Sequence, residues 1–332
     1  MLKEGLNMAE TDRLVVVTDY TFPDLHQEQA VAGGAGARFR AHQCHDAESV
    51  ARVTKGAQVV VVQFAPMTEA ALAGLAPGAR VIRYGVGYDN IDIHAAARLG
   101  IEVAYVPDYC TDEVADHTAT SLLAALRKVS ALDASTRRGE WAAVRVCQPM
   151  RPFSQSMVGF LGLGRIGRAV MERLRPFGFS FMVFDPALSE DKLASLAADK
   201  ASTSDELFMA VDALTLHVPS TPATRHIVNK AALSRMKPGA VIINTARGDL
   251  IDEKALAEAL RNGGIAGAAL DVFEQEPLPA DSALRAAPNL HLSPHAAWYS
   301  DVSIKRLQAL AAEEVRRGLA GEPMRCPVPS SR

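Results

Sequence analysis

Aromatic residues make up only 6% of this 332-residue chain. That is too few for the rows of stacking rings that single-stranded nucleic acid requires. Neither sign of charge dominates: Lys and Arg total 35, Asp and Glu 38, for a net charge of −3 with His neutral. Such a balance lacks the basic footprint of a nucleic-acid binder. The four cysteines, Cys44, Cys110, Cys147 and Cys326, show no CxxC spacing. They signal neither a zinc ribbon nor a redox dithiol, and a reduced, cytoplasmic chain is expected. No apolar run approaches the ~20 residues of a membrane span. The first ten residues carry Lys3, Glu4, Asn7 and Glu10, which is not a signal-peptide pattern. His42 and His45 flank Cys44, but without a second cluster they make a poor metal site, and no metal is expected.

What is present is globular. Apolar residues make up 48% and charged residues 22%, and at roughly 150 residues per domain the length predicts two domains. Short β-branched runs alternate with Ala/Leu-rich helical stretches. The runs at 14–18, 59–64 and 81–84 are mostly apolar rather than alternating, as in parallel sheets covered on both faces. Helical stretches at 69–75 and 93–99 follow the second and third of these runs, with Gly100 as a C-cap of the latter. After Pro107 the pattern predicts one long helix over 111–132, then an irregular stretch over 139–156. Six further strands are expected at 158–161, 181–184, 213–217, 240–244, 267–270 and 290–292. This alternation predicts doubly wound parallel sheets. A last helix spans 300–319, and periodicity alone does not say which domain it joins.

The strongest motif begins at Val158. Gly162, Gly164 and Gly167 form G-x-G-x-x-G between an apolar strand and a helix, the context that a dinucleotide fingerprint requires. Gly162 serves the tight turn, Gly164 the approach of a pyrophosphate, and Gly167 the packing of helix on strand. The helix N-terminus then offers unpaired N–H groups to phosphate. Asp185 stands at the end of the next strand, 18 residues past Gly167. A carboxylate there accepts ribose hydroxyls and repels a 2′-phosphate, favouring NAD over NADP. Gly33, Gly34 and Gly36 read as a loop or helix end. Gly85-Val86-Gly87 lacks a third glycine but presents backbone N–H groups, and is kept for the substrate.

Reduction of a carbonyl needs a proton donor, a partner that holds it and a cation for the substrate. Arg247 follows a strand, beside Gly248, and its guanidinium can fork onto a carboxylate. Asp271, Glu274 and Glu276 stand close together, and spacing does not choose among them. His295 follows the last strand and can carry a proton near neutral pH. His217, also at a strand end, competes with it.

These residues resemble the D-isomer-specific 2-hydroxyacid dehydrogenase family. The likeness runs from about residue 55 to 320 and rests on three stretches: the glycine motif, 236–248 and 267–277. The stretches 83–90 and 294–300 resemble its C-terminal-binding-protein branch. The resemblance implies a Rossmann NAD domain (108–298) inserted into a flavodoxin-like substrate domain (1–107 with 299–332), so that the last helix returns to the first domain. It implies Glu276 as the partner acid and His295 as the acid/base. It also implies a homodimer joined largely through about 108–150.

The implied reaction is hydride transfer between NAD(H) and a small 2-keto or 2-hydroxy acid. His295 protonates the carbonyl oxygen, Glu276 favours the charged imidazole, and Arg247 binds carboxylate or carbonyl. Arg83 and the N–H groups of Val86 and Gly87 grip the substrate carboxylate, and domain closure excludes water. Thr245, Ala246 and Asp271 match nicotinamide-side positions, and Arg165 and Ile166 pyrophosphate-side ones. Val218, Pro219 and Ala297 complete the cofactor set. Trp298 resembles a cavity residue that would suit an apolar substrate side chain. A phosphate-bearing substrate would want extra cations, and the first domain's obvious candidates are only Arg52, Lys55 and Arg80, so a small or hydrophobic, unphosphorylated keto acid is expected. The alternative is an NAD(H)-sensing scaffold or corepressor with weak or no dehydrogenase activity. It is less expected because little follows the family region.

Overall fold

Twelve strands form two all-parallel sheets in a computed structural model that describes residues 13–329. The expectation about the first ten residues lies outside the described residues. The chain divides into two units, one running to Cys110 and resuming at Ser300, the other spanning Thr111–Tyr299.

The first unit holds β1 (Leu14–Val17), β2 (Arg38–Ala41), β3 (Val59–Val62), β4 (Arg80–Arg83) and β5 (Glu102–Tyr105), in the order β2-β1-β3-β4-β5. This is the flavodoxin-like order, with its switch point between β1 and β3. Val59 to Val62 are all 0% exposed, and burying each such side chain contributes about 1.5–3 kcal/mol. Alternate residues point to opposite faces. Val16, Val60, Val62 and Val81 meet Val50, Leu72 and Ala95 of the helices on one face. The helix Asp301–Ala320 packs on β3, β4 and the helix His26–Gly34. Ser300 and Ser303 cap its start reciprocally, and Gly321 (φ 71°) ends it in a left-handed turn.

The second unit holds β6 (Met157–Leu161), β7 (Ser180–Phe184), β8 (Asp199–Lys200), β9 (Ala213–Leu216), β10 (Val241–Asn244), β11 (Gly267–Leu270) and β12 (Leu290–Leu292). Their order is β12-β11-β10-β9-β6-β7-β8, a Rossmann order with one added strand, and its switch point lies between β6 and β9. Phe160, Val183 and Ile243 form one face with Leu122 and Met171 of the helices Thr111–Leu126 and Arg165–Leu174. Leu216, Ile242 and Leu270 form the other with Leu207, Leu233 and Leu256.

The expected single helix over 111–132 is two. Thr111–Leu126 and Val129–Arg137 are separated by Lys128, whose φ is 51°. A left-handed residue cannot continue a right-handed helix. The irregular stretch over 139–156 contains the short helix Ala143–Cys147.

Candidate active site

In open parallel α/β sheets the strand C-termini at the switch point face the ligand. β6 runs directly into the glycine turn. Gly162 has φ 84°, and a methyl group on it would lie 2.7 Å from Val218 Cγ1 and 3.0 Å from the His217 carbonyl oxygen. A methyl on Gly167 would lie 3.0 Å from the Gly162 carbonyl oxygen. Gly164 has nothing within 4 Å of such a methyl and is exposed. The three glycines therefore differ: two are packed against protein, and the middle one leaves backbone open to a phosphate. Arg165 and Ile166 occupy the first turn of the helix behind it. Asp185 follows β7 and accepts from the Leu163 N–H at 2.9 Å and the Ala187 N–H at 3.0 Å. The carboxylate that would meet a ribose is thus tied to the glycine turn. Val218 and Pro219 follow β9. These residues fit a bound dinucleotide.

Three loops after β10, β11 and β12 carry the candidate catalytic groups. Asn244 ends β10, buried, and braces the first loop. Its side chain accepts from the Ala246 N–H at 3.0 Å and donates to the Arg247 carbonyl at 2.8 Å. Gly248 then passes so close to the next loop that any side chain would collide with the Phe273 carbonyl group and the Glu274 nitrogen. The Arg247 and Glu276 loops are therefore packed backbone to backbone. Glu276 Oε1 accepts from the Phe273 N–H at 3.0 Å, and Glu276 Oε2 lies 2.7 Å from His295 Nδ1. Burial acts to raise the Glu276 carboxyl. The His295 hydrogen bond and charge, the Phe273 N–H and the Arg247 charge outweigh it and hold the carboxyl below its ordinary value.

His295 has φ 52°, a left-handed conformation in which His is one of the more tolerated residues. Strain of this kind costs on the order of 1 kcal/mol and persists only where the surroundings fix it. Asp271 fixes it. Its carbonyl accepts the His295 N–H at 2.8 Å, and its buried carboxylate accepts the N–H groups of Ala296 at 2.9 Å and Ala297 at 2.8 Å. Thr245 lies 2.8 Å from the Thr118 hydroxyl, which itself donates to the Val114 carbonyl, so Thr245 is the donor between them.

The candidates left open by spacing separate here. Glu274 accepts from the Glu253 N–H at 3.3 Å and lies 3.3 Å from His226 Nε2, away from His295. The His217 ring stacks on Phe160 and lies 2.9 Å from the Thr215 hydroxyl, and burial lowers its pKa to about 3. A ring that stays neutral at neutral pH is no proton donor there. Among the described residues, no group of three or more His, Cys, Asp or Glu could hold a metal ion. No helix there is long and apolar enough to cross a membrane.

A family model described as "D-isomer specific 2-hydroxyacid dehydrogenase, NAD binding domain" matches residues 119–297, more than half of the chain. The chain belongs to the D-isomer-specific 2-hydroxyacid dehydrogenase family. It is 39% identical to D-3-phosphoglycerate dehydrogenase of Methanocaldococcus jannaschii over 83% of this chain and 52% of that protein. The chain thus spans about half that relative's length. It is 38% identical to glyoxylate reductase of Korarchaeum cryptofilum over 74% of this chain and 75% of that protein. Its structure is similar to that of D-lactate dehydrogenase from Aquifex aeolicus complexed with NAD and lactic acid: TM-score 0.82, 27% identity, covering 93% of this chain and 96% of that one.

In the other unit a loop follows β4. Gly85 has φ 134°, a conformation that side chains rarely adopt, and the Arg83 guanidinium folds over it. That guanidinium also lies 5.6 Å from the centre of the Phe64 ring. Phe64 is set by Asp19, at the end of β1, which accepts the N–H groups of Gln63, Phe64 and Ala65 at 3.0, 2.5 and 3.1 Å. Trp298 meets Tyr299 edge to face at 6.0 Å. Sequence reasoning gave no place to Asn244, Asp19 or His117. The first two end strands, which is a usable signal, whereas His117 is one helical residue among others.

Proposed function

We propose that the protein is an NAD-dependent D-2-hydroxyacid dehydrogenase that reduces small 2-keto acids. The observation that carries this reading is the His295–Glu276 pair at 2.7 Å, with Arg247 on a loop packed against that of Glu276, in the same unit as a glycine turn that fits a dinucleotide. The bound nicotinamide supplies the hydride. With Nδ1 bonded to the Glu276 carboxylate, His295 gives the carbonyl oxygen its proton from Nε2. The ionised Glu276 keeps the imidazole oriented. Arg247 holds the carbonyl or carboxylate oxygen and neutralises charge that grows as the alkoxide forms. Thr245 and Asp271 hold the carboxamide side, and Arg165, Ile166 and Gly164 the pyrophosphate. Arg83, with the N–H groups of Val86 and Gly87, takes the substrate carboxylate, and Trp298 favours an apolar substituent.

The unphosphorylated character of the substrate is supported by Arg80. It is committed to Glu102 at 3.0 Å and to the carbonyls of Arg317 and Glu322 at 2.9 and 2.7 Å, so it is not available to a phosphate. A homodimer in the cytoplasm completes the reading. Trp141 and Val144 are 97% and 74% exposed, more apolar surface than a lone helix end needs, and sedimentation as a monomer would refute the dimer.

The test is NADH oxidation over glyoxylate, hydroxypyruvate, pyruvate, phenylpyruvate, branched 2-keto acids and 3-phosphohydroxypyruvate. Turnover of one or more unphosphorylated acids is expected. No turnover of any acid would sink the proposal.

A further inference from the structure

His117, on the helix Thr111–Leu126, reaches the loop that carries His295 through a chain of hydrogen bonds. Its Nε2 lies 3.2 Å from the Ser293 hydroxyl, and that hydroxyl donates to Asp271 Oδ1 at 2.5 Å. Counting hydrogens fixes the direction. Ser293 has one hydroxyl proton, and Asp271 takes it. The Ser293 oxygen can therefore only accept from His117, so His117 carries a hydrogen on Nε2. Asp271 in turn seats three consecutive N–H groups, those of His295, Ala296 and Ala297. The chain is polar at every link and runs one way, from helix to catalytic loop.

We propose that His117 is a positioning residue for His295. Its Nε2–H locks the Ser293 rotamer, Ser293 locks the Asp271 carboxylate, and Asp271 holds the left-handed backbone from which the His295 ring reaches Glu276. The neighbouring Thr118 braces Thr245 from the same helix turn, so one helix steadies two of the loops of the site. The inference rests on the dehydrogenase reading for its kinetic consequence but not for its structural one, and the two are measured separately.

Three variants of the full chain test it: His117→Leu, which removes the donor at similar size, His117→Gln, which restores an N–H near the Nε2 position, and Ser293→Ala. Keto-acid reduction gives kcat and KM, fluorescence gives the Kd of NADH, and hydrogen exchange gives protection of the amides of Ala296 and Ala297. His117→Leu is expected to lower kcat about 10–100-fold, the scale of a small misplacement of a reacting group. KM and Kd should change less than about threefold while exchange at both amides speeds up about tenfold or more, since the loop has lost what over-determines it. His117→Gln should recover kcat to within about threefold of the parent, and the double variant His117→Leu/Ser293→Ala should be no worse than the worse single one, as expected for one coupled chain. A His117→Leu enzyme within twofold of the parent in kcat, glutamine no better than leucine, or multiplicative single losses would overturn the proposal. Should His117→Leu fail to fold, Ser293→Ala with unaltered kcat and exchange would overturn it alone. Should the parent reduce no keto acid, the dehydrogenase reading falls and exchange decides: amides as protected in His117→Leu as in the parent would end the relay.

Discussion

His295 Nδ1 lies 2.7 Å from Glu276 Oε2, and both side chains are about a third exposed. Replacing Glu276 by Gln keeps the shape and removes the charge. We expect kcat to fall at least ~100-fold, the usual scale of acid–base contributions. The folded Glu276 carboxyl sits below its ordinary value of 4.5. Its stabilising contribution is therefore present above that value and lost as pH falls through the lower, folded one. The gap in thermal stability between parent and Glu276→Gln should shrink on acidification below pH 4.5, and a gap independent of pH would contradict this.

Gly248 gives the second expectation. Its missing side chain is what allows the Arg247 loop to lie on the Phe273–Glu274 peptide, and backbone cannot move aside as a flexible side chain can. Gly248→Ala should lose about 1–3 kcal/mol of stability, as overpacked positions do, and kcat should fall with it. Parent-like urea denaturation would show that the loops are not packed as described.

The glycine turn separates folding from binding. Gly164 faces open space, whereas Gly162 is packed and left-handed. Gly164→Ala should melt like the parent yet weaken NADH about tenfold or more, because its methyl stands where backbone must approach the pyrophosphate. Gly162→Ala should lose stability outright. Calorimetry with NADH titration distinguishes the two, and equal melting losses would count against the assignment.

A buried carboxyl in the first unit sets a pH slope. Glu28 is 0% exposed and accepts the Tyr84 hydroxyl at 2.8 Å. Burial raises its pKa, with Asp24 adding to the effect and the hydrogen bonds from Tyr84 and Gln308 opposing it. The folded state thus holds a proton that the unfolded chain releases near 4.5, so stability falls as pH rises from that value through the higher folded one. Glu28→Gln does not titrate. Its melting temperature relative to the parent should climb between pH 4.5 and 8, and a constant difference would refute the coupling.

Much of this fold can be read from the residues themselves. The valines of β1 and β3 announce buried strands because both faces of those strands are covered. β2 is an edge strand whose Arg38 and Arg40 hide the pattern, and β8 has only two residues. The break at Lys128 has no local signal, since Lys is a good helix former. Spacing brings three acids and two histidines to strand ends, but only the fold shows which acid touches which ring. Glu274 turns to Glu253, Glu276 to His295, and His217 turns inward to Phe160. The part played by His117 depends on a hydroxyl 176 residues away, which no local pattern reports.

If His295 gives and takes the proton, His295→Asn removes that step and little else. Asn tolerates the left-handed backbone at that position, so the loop survives the change. The kcat for keto-acid reduction should be lower by about 10²–10⁴, with the Kd of NADH unchanged and the melting temperature lowered no more than by Glu276→Gln, since both variants lose the same pair. Turnover within tenfold of the parent would contradict it.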